Sequence, residues 1–125
     1  MNNEPTKRPA SLLPPLRVLV ADDSPTFVEA LCNFLARLTA VSVVAIAADG
    51  QNAVALLAEH RPDLVIMDVS MPRMNGPEAA AEMRRLLPDV RIIMVSIHQD
   101  AETQAESIQE IAGLFPHLTE NVLAQ

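Results

Sequence analysis

"DLVIMDVSMPRMNG", residues 63–76, opens as an apolar run and closes in turn-forming residues, with Asp68 at the boundary. A short apolar run bounded by turn signals is the pattern of a strand buried on both faces. Three comparable runs accompany it: "RVLVA" at 17–21, "VSVVAIAA" at 41–48 and "VRIIMVSI" at 90–97. Between them the apolar spacing turns helical. Ser24 suits an N-cap and Pro25 the first helical turn, where no N–H is needed. Phe27, Ala30, Leu31, Phe34, Leu35 and Leu38 then form one stripe. Asp49-Gly50 marks a turn before a second helix over 51–59, with Ala53, Leu56 and Leu57 inward and Pro62 beyond it. "MPRMNG" is a loop. A third helix is expected over 77–87, stopped by Pro88, and a fourth over 101–111, with Ala101, Ala105, Ile108 and Ala112 on one side.

Strands this apolar need helices on both faces, so the alternation predicts a doubly wound α/β domain with a parallel sheet. Right-handed crossovers put every strand's carboxyl end on one edge, where ligands bind in such sheets. Residues 1–15 are polar and marked by Pro9, Pro14 and Pro15; they read as a flexible leader, with the domain over 16–125.

Composition narrows the function. The 125 residues match one domain, and half of them are apolar, enough for a sizeable core. A net charge of −7 disfavours a non-specific nucleic-acid surface and suits a cation instead. With three Phe and neither Tyr nor Trp, a stacking surface for single strands is also disfavoured. Cys32 is the only cysteine, so no intrachain disulfide forms, and it reads as a small buried apolar residue. No apolar run is long enough for a membrane span and no signal segment follows Lys7 and Arg8, so the expected location is cytoplasmic.

Three strand ends carry polar groups: Asp22 and Asp23 after the first, Asp68 after the third, Ser96 after the fourth. Close carboxylates repel unless a cation or proton intervenes. An all-oxygen cluster suits Mg²⁺, held by Asp22 and Asp23 directly or through water, by Asp68, and by the backbone carbonyl of Ser70. Asp68 is also a candidate nucleophile that forms an acyl phosphate, with Ser96 hydrogen-bonding a phosphoryl oxygen. Taken singly, these residues have plainer readings: a helix cap for Asp22 or Asp23, a turn for Asp68, a satisfied hydroxyl for Ser96. Their joint placement at strand ends favours the chemical reading.

The stretches "VLVADDSPTF", "AADG", "PDLVIMDVSMPRMNG" and "IIMVSIH" together resemble the receiver domain of two-component response regulators. The resemblance implies a flavodoxin-like sheet in the order 2-1-3-4-5. It implies phosphoryl transfer onto Asp68 from a sensor histidine kinase or histidine phosphotransfer protein. Asp23 becomes a direct Mg²⁺ ligand, Asp22 a partner partly through water, Ser96 the switch hydroxyl and Phe115 the movable switch aromatic. It further implies a homodimer built on the last elements and a DNA-binding output domain that this chain does not contain.

The end of the chain departs from that pattern. A receiver usually carries a lysine after its fifth strand, where the match here places Leu118, beside His117. Pro116 falls inside the expected fifth strand, and "LTENVLAQ" leaves little for a last helix, so both elements are expected to be short or irregular. Two rivals stay open. One is a receiver-like protein-binding module that works without phosphate, in keeping with the absent lysine. The other is an aspartate-nucleophile phosphatase, whose pattern wants a second Asp where Ser70 stands. A dinucleotide module is weaker, since no Gly-x-Gly-x-x-Gly follows the first strand.

Overall fold

The structure, a computed structural model, describes residues 14–96 and 101–124, the side chains of 101 and 117–124 excepted. The expected leader therefore lies almost wholly outside the described residues. Four strands, β1 (Leu16–Ala21), β2 (Val41–Ala47), β3 (Leu64–Asp68) and β4 (Arg91–Val95), form one sheet in the order β2-β1-β3-β4. All three pairings are parallel, as expected, and β1 and β3 occupy the centre. Four helices connect and flank them: α1 (Pro25–Leu35), α2 (Gly50–His60), α3 (Gly76–Leu86) and α4 (Ala101–Ala124).

The strand period of two splits the core into two layers. Leu19, Ala21, Val65 and Met67 face Ala53 and Leu57 of α2 and Ala79 and Met83 of α3. Val18, Val20, Leu64 and Ile66 face Phe27, Leu31 and Leu35 of α1 and Ile111 and Phe115 of α4. Local chemistry starts the first three helices. Ser24 accepts the Phe27 N–H at 3.4 Å ahead of Pro25 in the first turn. Asp49 accepts the Asn52 N–H at 2.7 Å. Asn75 and Glu78 form a reciprocal capping box at α3. Asp49-Gly50 and Asn75-Gly76, read as turns, are thus also helix starts. Asp63, read as part of the third strand, instead ties the opposite edge together. It takes the Arg17 N–H on its carboxylate and donates its own N–H to the Arg17 carbonyl, both at 2.9 Å.

The sheet follows the expected flavodoxin-like order through its fourth strand, and the end of the chain is irregular, as Pro116 suggested: no fifth strand is present among the described residues. Instead α4 continues through the predicted strand, with Pro116 inside it. Pro116 has no N–H for the Ala112 carbonyl, and an interior proline costs a helix about 3 kcal/mol. Burial of Ile111 and Phe115 against α1 offsets this, at about 1.5–3 kcal/mol for each large apolar side chain. The inward stripe is accordingly Gln104, Ile108, Ile111 and Phe115, while Ala105, expected to face inward, is exposed. Continuing the helix rotates the choice of face toward the bulkiest side chain available.

Candidate metal and phosphoryl-acceptor site

Where β1 ends, the Asp22 N–H still reaches the Ala47 carbonyl at 2.9 Å, which holds the residue against the sheet edge. Its side chain is buried. Oδ1 accepts the Ser24 N–H at 2.8 Å, but Oδ2 is buried with no hydrogen-bond partner. Asp23 follows on the exposed side. Two strands away in sequence but adjacent in the sheet, Asp68 ends β3, 8% exposed, with Oδ1 accepting the Ser70 N–H at 3.2 Å. Carboxylate oxygens of Asp22, Asp23 and Asp68 all lie within 4.8 Å of one another.

This crowding disturbs their titration. Burial pushes the Asp22 carboxyl up to about 6; the charges of Asp68 and Asp23 add to that, and the Ser24 N–H opposes it. Burial also raises Asp68, with the Asp23 charge adding and the Ser70 and Val69 N–H groups opposing. Burial and like charge disfavour the ionised carboxyls, and either a proton or a cation relieves this. The unpartnered Oδ2 of Asp22 and an all-oxygen donor set fit a hard divalent ion such as Mg²⁺.

The loop after Asp68 returns tightly. The Val69 N–H reaches the Val95 carbonyl and the Gly76 N–H reaches the Val69 carbonyl, each at 2.9 Å. A β-carbon on Gly76 would lie 2.5 Å from the Asp68 carbonyl oxygen, so only glycine lets the loop close here. Ser70 stands in this loop with its side chain exposed. Asp68 is in register with Val95, so Ser96 emerges one residue past it on the same edge, also exposed. Phe115 is not brought to this edge. It is buried on α4 with its ring edge-on to Phe34, centroids 6.4 Å apart, near the far end of α1. Leu118 and His117 lie on α4, outside the described side chains.

One polar pair at the edge was missed. Arg73, at φ 62°, sends Nε and Nη2 to Oδ2 of Asp49 at 3.0 and 2.9 Å. The Asn52 N–H, then the Arg73 guanidinium, hold the Asp49 carboxyl below its usual range. Nothing in the spacing joins residues 24 positions apart; the turn signals around each were the only clue. Beside the acidic cluster runs an open, mostly apolar groove of about 400 Å³, lined by Asp23, Pro25, Val28, Cys32 and Ile46 among others. Cys32, read as buried, is only partly so. No helix among the described residues is long and apolar enough to cross a membrane.

The family model of the response regulator receiver domain matches residues 18–119. The chain is 38% identical over 85 residues to the transcriptional regulatory protein DegU of Brevibacillus brevis, covering 68% of this chain and 36% of that protein. It is 38% identical over 96 residues to a protein-glutamate methylesterase/protein-glutamine glutaminase of Myxococcus xanthus, covering 76% of this chain and 27% of that one. The chain thus spans well under half the length of these relatives. Among solved structures, the signal receiver domain of the putative response regulator NarL from Mycobacterium tuberculosis superposes with a TM-score of 0.65, at 33% identity over 78% of each chain.

Proposed function

The chain belongs to the response regulator receiver domain family of two-component signalling, and from that premise we propose that it accepts a phosphoryl group on Asp68. The observation that carries this is the convergence of three carboxylates around a buried oxygen with no protein partner. Asp22, Asp23, Asp68 and the Ser70 carbonyl would hold Mg²⁺. Bound there, the ion keeps the crowded carboxylates ionised and offsets charge between Asp68 and an incoming phosphoryl group.

The protein's own groups do the rest. The Ser70 N–H on Oδ1 fixes the rotation of the Asp68 carboxylate. A carboxylate oxygen of Asp68 attacks phosphorus as the bond from phosphorus to the donor nitrogen of a phosphohistidine breaks. The departing imidazole keeps the electron pair and takes up a proton. The Ser96 hydroxyl, one residue beyond the Val95 that pairs with Asp68, donates to a phosphoryl oxygen. The donor is a sensor histidine kinase or histidine phosphotransfer protein, and the apolar groove beside Asp23 gives such a protein a place to rest. The named relatives differ in output, one a transcriptional regulator and one an esterase and glutaminase, so only the receiver step is carried over.

Intact mass after treatment with a small phosphodonor tests this. The wild type gains one phosphoryl group only with Mg²⁺, and Asp68→Asn gains none. Equal labelling of both proteins, or a label mapped to Ser96 or His98, overturns the assignment.

A second reading draws on β4, whose outer edge has no neighbouring strand among the described residues. There the domain binds its partner without regard to phosphate. Partner affinity unchanged by phosphorylation of Asp68 would select it.

A further inference from the structure

The loop that carries Asp68 and Ser70 is fastened at its far tip to a different element. Its backbone sits on the first turn of α2: the Gly50 N–H faces the Pro72 carbonyl at 3.4 Å. A β-carbon on Gly50 would lie 1.8 Å from the Met74 carbonyl oxygen. Arg73, between those two contacts, adopts the left-handed conformation, which a non-glycine side chain occupies only when its surroundings hold it there. Its side chain meets Asp49. One carboxylate oxygen caps α2 through the Asn52 N–H, and the other takes Nε and Nη2 of the guanidinium. The Asp49 side chain is 13% exposed, so its position is fixed by the fold, whereas Arg73 is 62% exposed and depends on the pair for its place.

At its near end the same loop is pinned by the Val69 and Gly76 N–H groups. Between the two anchors lies Ser70. A seven-residue loop held at its base and tip has little freedom to move its middle. Asp49 itself follows β2 by two residues, and β2 also receives the Asp22 N–H. The clamp therefore links the segment carrying Asp68 and Ser70 to the strand that seats Asp22.

We propose that Asp49 and Arg73 are a positioning pair, which holds the β3–α3 loop so that Asp68 and the Ser70 carbonyl meet a divalent cation together with Asp22 and Asp23. Neither residue touches the ion. The pair rests on the metal reading given above, and the test separates the two.

Two substitutions break the pair while sparing the fold. Asp49→Asn keeps an oxygen for the Asn52 N–H, so α2 stays capped. It turns an amide NH₂ toward Arg73. Arg73→Gly removes the guanidinium yet accepts the left-handed backbone without steric cost. If backbone shape alone placed the loop, this variant would bind metal normally.

Mn²⁺ affinity, read from the paramagnetic signal of the free ion, is measured for wild type, both single variants, the double variant and Asp23→Asn. Circular dichroism without metal confirms folding. Partly exposed ion pairs are weak, so each single variant is expected to lose about three- to fivefold in affinity. The double variant is expected to be no worse than the weaker single, because both remove one interaction. A loss under twofold in either single variant, or losses that add in the double, overturns the clamp while leaving the metal site standing. A wild type that binds Mn²⁺ no better than Asp23→Asn overturns the metal reading, and the clamp with it.

Discussion

β3 and β4 are neighbours paired in register over five residues, and they are close to the same string, LVIMD against RIIMV. Every residue of β3 is buried. In β4 only Val95 is, and Met94 is 37% exposed. The difference is company, not composition. β3 lies between β1 and β4 under both helical layers, while β4 has a strand on one side only among the described residues. Apolarity shows what a strand could bury; topology decides what it does bury. The same contrast divides the site. Asp68 caps the sealed strand, beside Asp22 and Asp23, and Ser96 follows the open one. The acidic cluster stands on the supported half.

The contrast is broken or sharpened first by core truncation. Ile66, 1% exposed in β3, should cost about 2–5 kcal/mol as Ile66→Ala, because the surrounding core only partly collapses. Urea unfolding reads this directly. A loss under 1 kcal/mol would mean that β3 is not the closed centre of the sheet.

The next effect is electrostatic and depends on pH. Asp22 titrates near 6 in the folded chain against 3.8 for an ordinary aspartate, so the folded state binds the proton more tightly. Stability from this group is fully present below pH 4 and is lost as pH rises through about 6. Without divalent metal, Asp22→Asn should therefore stabilise the protein at neutral pH, by on the order of 1–3 kcal/mol. The gain should vanish at pH 3.5. Mg²⁺ should flatten the wild-type profile by favouring the charged form. Thermal melts across pH check all three; an Asp22→Asn variant that is less stable at pH 7 without metal would contradict the crowding described here.

The smallest effect belongs to the open strand. Met94→Ala should change stability by less than about 0.5 kcal/mol, as at most exposed positions. A loss matching Ile66→Ala would show that β4 is covered after all, and the contrast with β3 would disappear.

Much of this was legible in the sequence because the signals were periodic and local. Runs of two-sided apolar residues gave four strands, and their alternation with helices gave a parallel sheet. The placement of Asp22, Asp23 and Asp68 at strand ends gave the acidic cluster. What stayed hidden depended on tertiary contacts. Pro116 argues locally against helix, yet Phe115 beside it packs on Phe34 and the helix runs on. Ala105 fits an inward stripe over 101–111 alone, but loses that place to Gln104 and Ile111 once Phe115 sets the face. Asp49 and Arg73 each looked like part of a turn; only the fold brings them together across a separation of 24 positions. Phe115, carried over as a switch aromatic by resemblance, is buried in the core on the α1 side, a contact that no local pattern shows.

The proposed phosphorylation of Asp68 is expected to act only weakly on β4 and α4. The sequence match puts Leu118 where a receiver usually carries a lysine; leucine cannot make a charge-assisted bond to phosphate, and such bonds are about twice as strong as neutral ones. In the proposed phosphorylated form Ser96 would supply the remaining contact. Amide NMR spectra with Mg²⁺, before and after adding the phosphate mimic beryllofluoride, test this most directly. The expected result is large shifts at Asp22, Asp23, Asp68, Val69, Ser70 and Ser96, with small ones along α4. Large, cooperative shifts running along α4 from Gln104 to Phe115 would contradict it.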